Sequence, residues 1–358
     1  MKKFLIAIFL SIATLGGLQA QSLTAPRGSQ AASVTQTIGI TDITISYHSP
    51  KVNDREIWGA LVPYNEGKPF PWRAGANDNT TFTVTHEVKV EGKELPAGTY
   101  GLHMIPAADE WTIIFSNNSS SWGSFSYDQA EDALQIKVKP SEAGKHEWLT
   151  YEFIERGDNY AVVALIWEEL KVPIRIDVDV HPIVLTSFKD QLRSTPGFTW
   201  QAWNQAATYC AQNDVDLEQG LEWAERSIAG GFGSKETFQN LQTKSSLLAK
   251  LGRTQESEET MKLAIDHPTA GAGDLYGYGR QLIGDKKNKE AMDIFKILAK
   301  KYPEHWLAEH GLARGYSANG DFKTALKYEE KALVKAPATS KQFLEGYVKT
   351  LKEGKDFN

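Results

Sequence analysis

The sequence predicts two folded units in series: an all-β sandwich of jelly-roll type over residues 21–181 and an all-α stack of helical hairpins over residues 200–358. Three observations carry that reading. Between Ser33 and Asp179, short β-branched and aromatic runs alternate with a period of two and stop at Gly, Pro, Asn or Asp. Beyond residue 182 the pattern repeats every 34 residues. Ala291, Phe295, Leu298 and Pro303 recur as Ala325, Glu329, Ala332 and Pro337, and earlier as Ser257, Met261, Ala264 and Pro268, the last one residue out of step. At 358 residues the chain also exceeds one ordinary core, since domains run to roughly 100–200 residues.

Taken in order, Lys2 and Lys3 precede the apolar run Phe4–Leu18, and Leu18-Gln19-Ala20 offers a small residue for cleavage. Residues 1–20 therefore read as a signal peptide, and the mature protein is expected in the periplasm or outside the cell. The run is shorter than the roughly 20 apolar residues of a bilayer span, so no transmembrane segment is expected after cleavage. The one cysteine, Cys210, lies far from that run, so neither a lipid anchor nor an internal disulfide is expected. It reads as a small apolar residue at a helix packing position. Residues 21–181 carry 13 Lys and Arg against 22 Asp and Glu, net −9, while residues 182–358 carry 24 against 23, net +1. An acidic first unit argues against nucleic acid or an anionic membrane as its partner.

Strands are expected at Ser33–Ile38, Asp42–Tyr47, Thr80–Thr85, Glu87–Val90, Thr99–Ile105, Glu110–Phe115, Ala133–Val138, Glu147–Ile154, Tyr160–Glu168 and Val172–Val178. Glu91-Gly92-Lys93 reads as a tight hairpin turn. Residues 51–79 break the rhythm, and loops of that length in compact domains are often functional. The ligand-binding candidates stand on this loop: Asp54, Arg55, Glu56, Trp58, Trp72, Arg73 and Asn77. Guanidinium groups there suit bidentate contact with a carboxylate or phosphate, and the indole rings suit stacking on a sugar or aromatic ligand. The competing structural reading pairs Arg55 or Arg73 with Glu56 or Asp78 and places the tryptophans in the core. An enzyme, a hydrolase acting on carbohydrate or peptide through Asp54, Glu56 and Arg73, is the alternative to a binding protein. It requires two carboxyls facing each other about 5–10 Å apart. His48, His86 and His103 lack metal-ligand spacing, the serines at 116–121 lack a nucleophile-elbow context, and Gly231-Phe232-Gly233-Ser234 follows no strand. No catalytic residue, metal or cofactor is assigned.

The ordered segments Asp42–Tyr47, Arg55-Glu56-Ile57-Trp58-Gly59, Val62-Pro63-Tyr64, Trp72–Asn77, Leu95–Leu102, Trp111–Phe115 and Trp122-Gly123-Ser124-Phe125 together resemble the exported bacterial family known as domain of unknown function 2911. The resemblance spans about residues 27–180 and implies no established activity. The insertion Asn65–Phe70 departs from the family's spacing.

The helical half resembles tetratricopeptide repeats. Leu312, Ala313, Tyr316, Gly320, Phe322, Ala325, Ala332 and Pro337 fall at that family's packing offsets, as do Tyr278, Gly279, Leu282, Ala291, Phe295, Leu298 and Pro303 one unit earlier. Residues 182–199 read as a linker helix that packs one domain on the other, and residues 339–352 as a capping helix with Phe343, Leu344, Tyr347 and Leu351 on one face. The repeat register places Gln239, Gln242, Lys250, Tyr276, Arg280, His310 and Arg314 on the inward face of successive first helices. Such a ladder suits the carboxylates of a protein or peptide partner. The sequence thus points to an exported cell-envelope binding protein.

Overall fold

The computed structural model describes residues 25–64 and 70–358. Residues 1–24, where the expected signal peptide falls, and residues 65–69 of the insertion lie outside the described residues. The chain divides into two compact units, residues 1–180 and 181–358.

The first unit contains β1 (Gln30–Ile38), β2 (Thr41–Ser49), β3 (Thr81–Val84), β4 (Val88–Val90), β5 (Lys93–Leu95), β6 (Gly98–Ile105), β7 (Trp111–Ser116), β8 (Asp132–Val138), β9 (Ser141–Arg156) and β10 (Tyr160–Asp177). They form a six-stranded sheet in the order β1-β2-β3-β6-β7-β8 and a four-stranded sheet in the order β5-β4-β10-β9. Two antiparallel sheets are what the sequence predicts for this unit. Period-two alternation is plain on β2, where Thr41, Ile43, Ile45, Tyr47 and Ser49 are buried and the residues between them are not. The layers are tied together where the Tyr47 and Tyr151 rings meet edge-on at 4.9 Å and Ser49 Oγ donates to the Leu149 carbonyl at 2.6 Å. Glu91 and Gly92, both at positive φ, make the two-residue turn between β4 and β5. The sequence divides Tyr160–Val178 into two strands, whereas β10 runs on through it. Its pairing with β9 shifts register around Glu168, which adopts φ 57°, so a bulge replaces the expected break.

The second unit contains α1 (Val180–Gln191), α2 (Trp200–Asn213), α3 (Leu217–Ile228), α4 (Phe238–Lys250), α5 (Thr254–Asp266), α6 (Ala272–Gly284), α7 (Asn288–Lys301), α8 (Trp306–Ala318), α9 (Phe322–Lys335) and α10 (Ala338–Lys352). Leu185 and Phe188 of α1 pack with Ala206, Cys210 and Trp223 of α2 and α3. Cys210 is wholly buried, and burial above all pushes its thiol up to about 11. Four hairpins follow in the pairs α2/α3, α4/α5, α6/α7 and α8/α9, and α10 packs on the last of them through Leu344 and Leu351. Phe343, expected on that packing face, is 69% exposed instead.

Each of the last three hairpins turns in the same way. Gly252, Lys286 and Gly320, spaced 34 residues apart, all take positive φ, and the next amide donates back to Leu248, Leu282 or Tyr316. This is the hydrogen-bonded helix end that a left-handed residue makes possible. Lys286 holds that conformation without glycine's freedom. The hairpins then approach through small residues. Phe295 on α7 is fully buried, and a Cβ at Gly279 or Gly311 would come within 2.4 or 2.6 Å of its ring. Those two glycines let α6 and α8 close on α7.

Lys286→Gly is expected to stabilise the protein by up to about 1.5 kcal/mol. It relieves roughly 1–2 kcal/mol of left-handed strain but gives back roughly 0.5–1 kcal/mol in chain entropy. A higher urea midpoint at unchanged slope checks this.

Candidate functional site

The long loop of the first unit is pinned at both ends. Val52 donates to the Glu147 carbonyl on β9 at 2.8 Å, and Trp72 exchanges backbone hydrogen bonds with Met104 on β6 at 2.7 and 2.8 Å. These anchors bring together four tryptophans from distant parts of the chain. The Trp58 ring meets Trp111 at 5.0 Å, Trp167 at 5.8 Å and Trp72 at 6.0 Å, all edge-on, while Trp72 stacks on Trp167 at 5.9 Å. The indole N–H groups of Trp58, Trp111 and Trp167 are buried without an acceptor among the described residues.

Beside the quartet lies an open cleft of about 450 Å³, lined by Lys51, Arg55, Trp72, Arg73, Asn77 and Trp167 among others. Four of the seven candidates from the sequence therefore share one wall: Arg55, Trp72, Arg73 and Asn77. Asp54, Glu56 and Trp58 do not line it, Trp58 because its ring faces the quartet. Arg55 donates to the carbonyls of Val52 and Lys51 at 3.0 and 2.5 Å, and Arg73 to that of Asn77. Neither guanidinium has a carboxylate within ion-pairing distance among the described residues, and Asp78 pairs instead with Arg27 at 2.8 Å. The loop is thus held by backbone carbonyls in place of the ion pairs weighed above. Burial lowers the Arg73 pKa, and the charge of Asp78 opposes that effect. Arg73 also lies over the Phe125 ring at 5.5 Å and against Gly123, where a Cβ would come 2.5 Å from the guanidinium carbon. No carboxylate is among the described residues that line the cleft, so the paired carboxyls of glycoside hydrolysis are not assembled there.

In the second unit the predicted ladder falls into two parts. Gln239 is exposed on α4, while Gln242 and Lys250 line a cleft of about 600 Å³ between α4 and α6, together with Ser246, Tyr278, Gln281 and Asp285. Phe238 and Leu241 of α4 share one buried cluster with Leu275 of α6. Small residues on the α4/α5 wall leave the volume open: Ser245 and Ser257 bond to each other, Ser245 Oγ donating to the Ser257 carbonyl and Ser257 Oγ to that of Ser245, each at 2.8 Å. Lys250 is itself bonded to Asp214. Arg280 is exposed, 6.0 Å from the Tyr276 ring. The spacing that makes Arg280 and Arg314 equivalent does not make them alike. Arg314 is 7% exposed, its Nε donating to the Tyr276 hydroxyl at 2.7 Å, and His310 is 3% exposed with Nδ1 2.7 Å from Glu329 on α9. Glu329 stands one repeat after Phe295, and His310 one repeat after Tyr276, so the ring pair of one hairpin becomes a polar pair in the next.

His103, weighed in the sequence only as a metal ligand, forms a buried polar contact instead. His103, 2% exposed on β6, has Nδ1 2.8 Å from Ser124 Oγ and its ring 5.7 Å from Tyr127, whose hydroxyl donates to Asp132 at 2.7 Å. No spacing in the sequence links these residues. The described residues include no cluster of three or more potential metal ligands, and no helix long and apolar enough to cross a membrane.

Burial pulls the His103 pKa down to about 4, with Asp132 acting against that shift and Arg73 with it. The unfolded chain, with a histidine pKa near 6.5, therefore takes up a proton that the folded one refuses. Stability is expected to fall as pH drops from about 6.5 to 4, by at most about 3 kcal/mol from this residue. His103→Gln should flatten that part of the stability curve, measured by urea unfolding at neutral and acid pH.

No curated protein matches the chain. Among solved structures, YrrB, described as a tetratricopeptide-repeat (TPR) protein with an unusual peptide-binding site, aligns at 15% identity over 47% of this chain and 83% of its own, with a TM-score of 0.30. A Podosopora anserina putative kinesin light chain with nearly identical TPR-like repeats aligns at 15% identity over 43% and 85%, with a TM-score of 0.31. The C-terminal part of a TPR repeat-containing protein from Cytophaga hutchinsonii aligns at 12% identity over 48% and 64%, with a TM-score of 0.34. The β-sandwich carries the match to a family: residues 29–176 fit the model described as Protein of unknown function (DUF2911).

Proposed function

We propose that this chain is an exported binding protein of the cell envelope, which docks a peptide or protein segment along the first helices of its repeats. The observation that carries the reading is the cleft of about 600 Å³ between α4 and α6. Stacked hairpins ordinarily close on one another to bury a continuous core. Here Ser245, Ser246, Ala249 and Ser257 supply too little side chain to fill the gap. Gln242, Lys250, Gln281 and Asp285 around it offer donors and acceptors of both charge signs, which suits a peptide backbone with an inserted side chain. The export part of the reading is supported by the apolar run behind Lys2 and Lys3.

The cleft beside the tryptophan quartet supports a second site in the sandwich. Arg55 and Arg73, which have no carboxylate partner among the described residues, stand beside the flat face of Trp72 and favour a small anionic ligand over a neutral one. Sulfate and a panel of sugar acids are expected to raise the thermal midpoint of the normal chain and to lose that effect in Arg73→Gln.

Ser246→Trp places a large ring in the α4/α6 cleft from a half-exposed position. On an immobilised peptide array, sequences retained by the normal chain are expected to be lost by this variant. Equal retention by both chains, or no retention by either, would count against the repeats as a docking surface.

A further inference from the structure

The residues that follow α10 turn back across α8. Ser317 Oγ donates to Asp356 Oδ1 at 2.5 Å, and the Phe357 amide donates to Ser317 Oγ at 3.4 Å. Asn358 closes a two-way contact with Arg314: its Oδ1 accepts from Arg314 Nη1 at 3.1 Å, and its Nδ2 donates to the Arg314 carbonyl at 3.2 Å. Phe357 is 9% exposed, its ring 4.9 Å from Tyr347 and 6.0 Å from His310. The Arg314 guanidinium lies over three rings, Phe357 at 5.0 Å, Tyr347 at 5.3 Å and Tyr276 at 6.0 Å. Three consecutive residues thus lie on a helix face as a bound peptide would: a carboxylate held by a hydroxyl, an aromatic ring in a cage and a side-chain amide on an arginine.

The mismatch is at the arginine. Arg314 is a nearly fully buried cation, yet its guanidinium bonds to a tyrosine hydroxyl and an amide oxygen, and no carboxylate lies within ion-pairing distance among the described residues. A buried charge is normally matched by an opposite one, and a carboxylate accepts from a guanidinium about twice as strongly as a neutral oxygen. The one orphaned carboxylate oxygen nearby, Glu329 Oε1, belongs to the group already engaged by His310. The seat therefore suits a ligand that offers a carboxylate where Asn358 offers an amide.

We propose that residues 356–358 are a built-in occupant of a peptide seat on α8, and that the seat's external ligand is a peptide with an aromatic residue followed directly by Asp or Glu. The proposal rests on the reading of the repeats as a peptide-docking stack and names a second place on it, separate from the α4/α6 cleft. The internal segment competes with the ligand, so the affinity of the unaltered chain is reduced by the fraction of seats left open.

The test uses fluorescence anisotropy with two labelled peptides, one with the sequence of residues 353–358 and one carrying Asn358→Asp in that sequence. The chain bearing Phe357→Ala, with its seat emptied, is expected to bind the Asp peptide about tenfold more tightly than the unaltered chain does, and more tightly than the Asn peptide. Adding Arg314→Gln should abolish the difference between the peptides. A folded Phe357→Ala chain, checked by circular dichroism, that binds neither peptide would overturn the proposal, as would binding unchanged by Arg314→Gln. If Phe357→Ala does not fold, Asn358→Ala loosens the segment while keeping the ring and every residue of the seat, and must still raise affinity for the Asp peptide above that of the unaltered chain. Loss of array binding by Ser246→Trp alongside a negative result here would sink this inference alone, whereas failure of both would remove the docking reading itself.

Discussion

One ring holds the helical half in register. Phe295 fills the space between three helices, and Gly279 and Gly311 are glycines because its edge lies where their side chains would be. A methyl group on either would drive α6 or α8 off the ring, and a smaller residue at 295 would leave a cavity costing roughly 3–5 kcal/mol. Around that contact the 34-residue period follows: small residues at Ala291 and Ala325 for close approach, and a left-handed residue at 252, 286 and 320 to turn the chain. When the period reaches 329 the ring is replaced by a carboxylate. The space is then filled by the Glu329–His310 pair and by Trp306, Tyr347 and Phe357, whose rings stand around the histidine. The change from Phe295 to Glu329 thus accounts for a polar, aromatic seat at one end of the stack, where the preceding hairpin has a hydrophobic cluster.

Much of this was legible in the sequence, because repeats write their packing at fixed spacing. Ala291/Ala325 and Gly252/Gly320 need only the period to be recognised. The pair Tyr276/His310 and the pair Phe295/Glu329 were equally visible, and joining them gives the buried polar contact directly. Lys286 at a glycine position was visible too. What the period does not carry is fate: Arg280 and Arg314 are identical in register, yet residues 356–358 and Tyr347 of α10 lie against the second and not the first. Segments outside a repeat have no internal template, so their contacts cannot be read from spacing.

In the sandwich the strands were legible from alternation, and the bulge at Glu168 was not, since a bulge shifts register without changing composition. The long loop was marked by its loss of rhythm. Arg55, Trp72, Arg73 and Asn77 converge there because backbone pairing to β6 and β9 fixes the ends of the loop. Asp54 and Glu56 fall outside the cleft: Asp54 is an exposed turn residue at positive φ, and both side chains lie on the solvent side. The His103–Ser124 contact joins a strand to a distant loop, a relation that no local pattern records.

The tryptophan quartet carries a spectroscopic consequence. Four indole chromophores at ring separations of 5.0–6.0 Å, three pairs crossed and one nearly parallel at 17°, do not absorb independently. Their transitions mix into delocalised states with paired circular-dichroism bands of opposite sign. Those bands exist only while Trp58 and Trp72 of the loop are seated against Trp111 and Trp167 of the strands, which makes them an intrinsic optical gauge of whether the loop is closed on the sandwich.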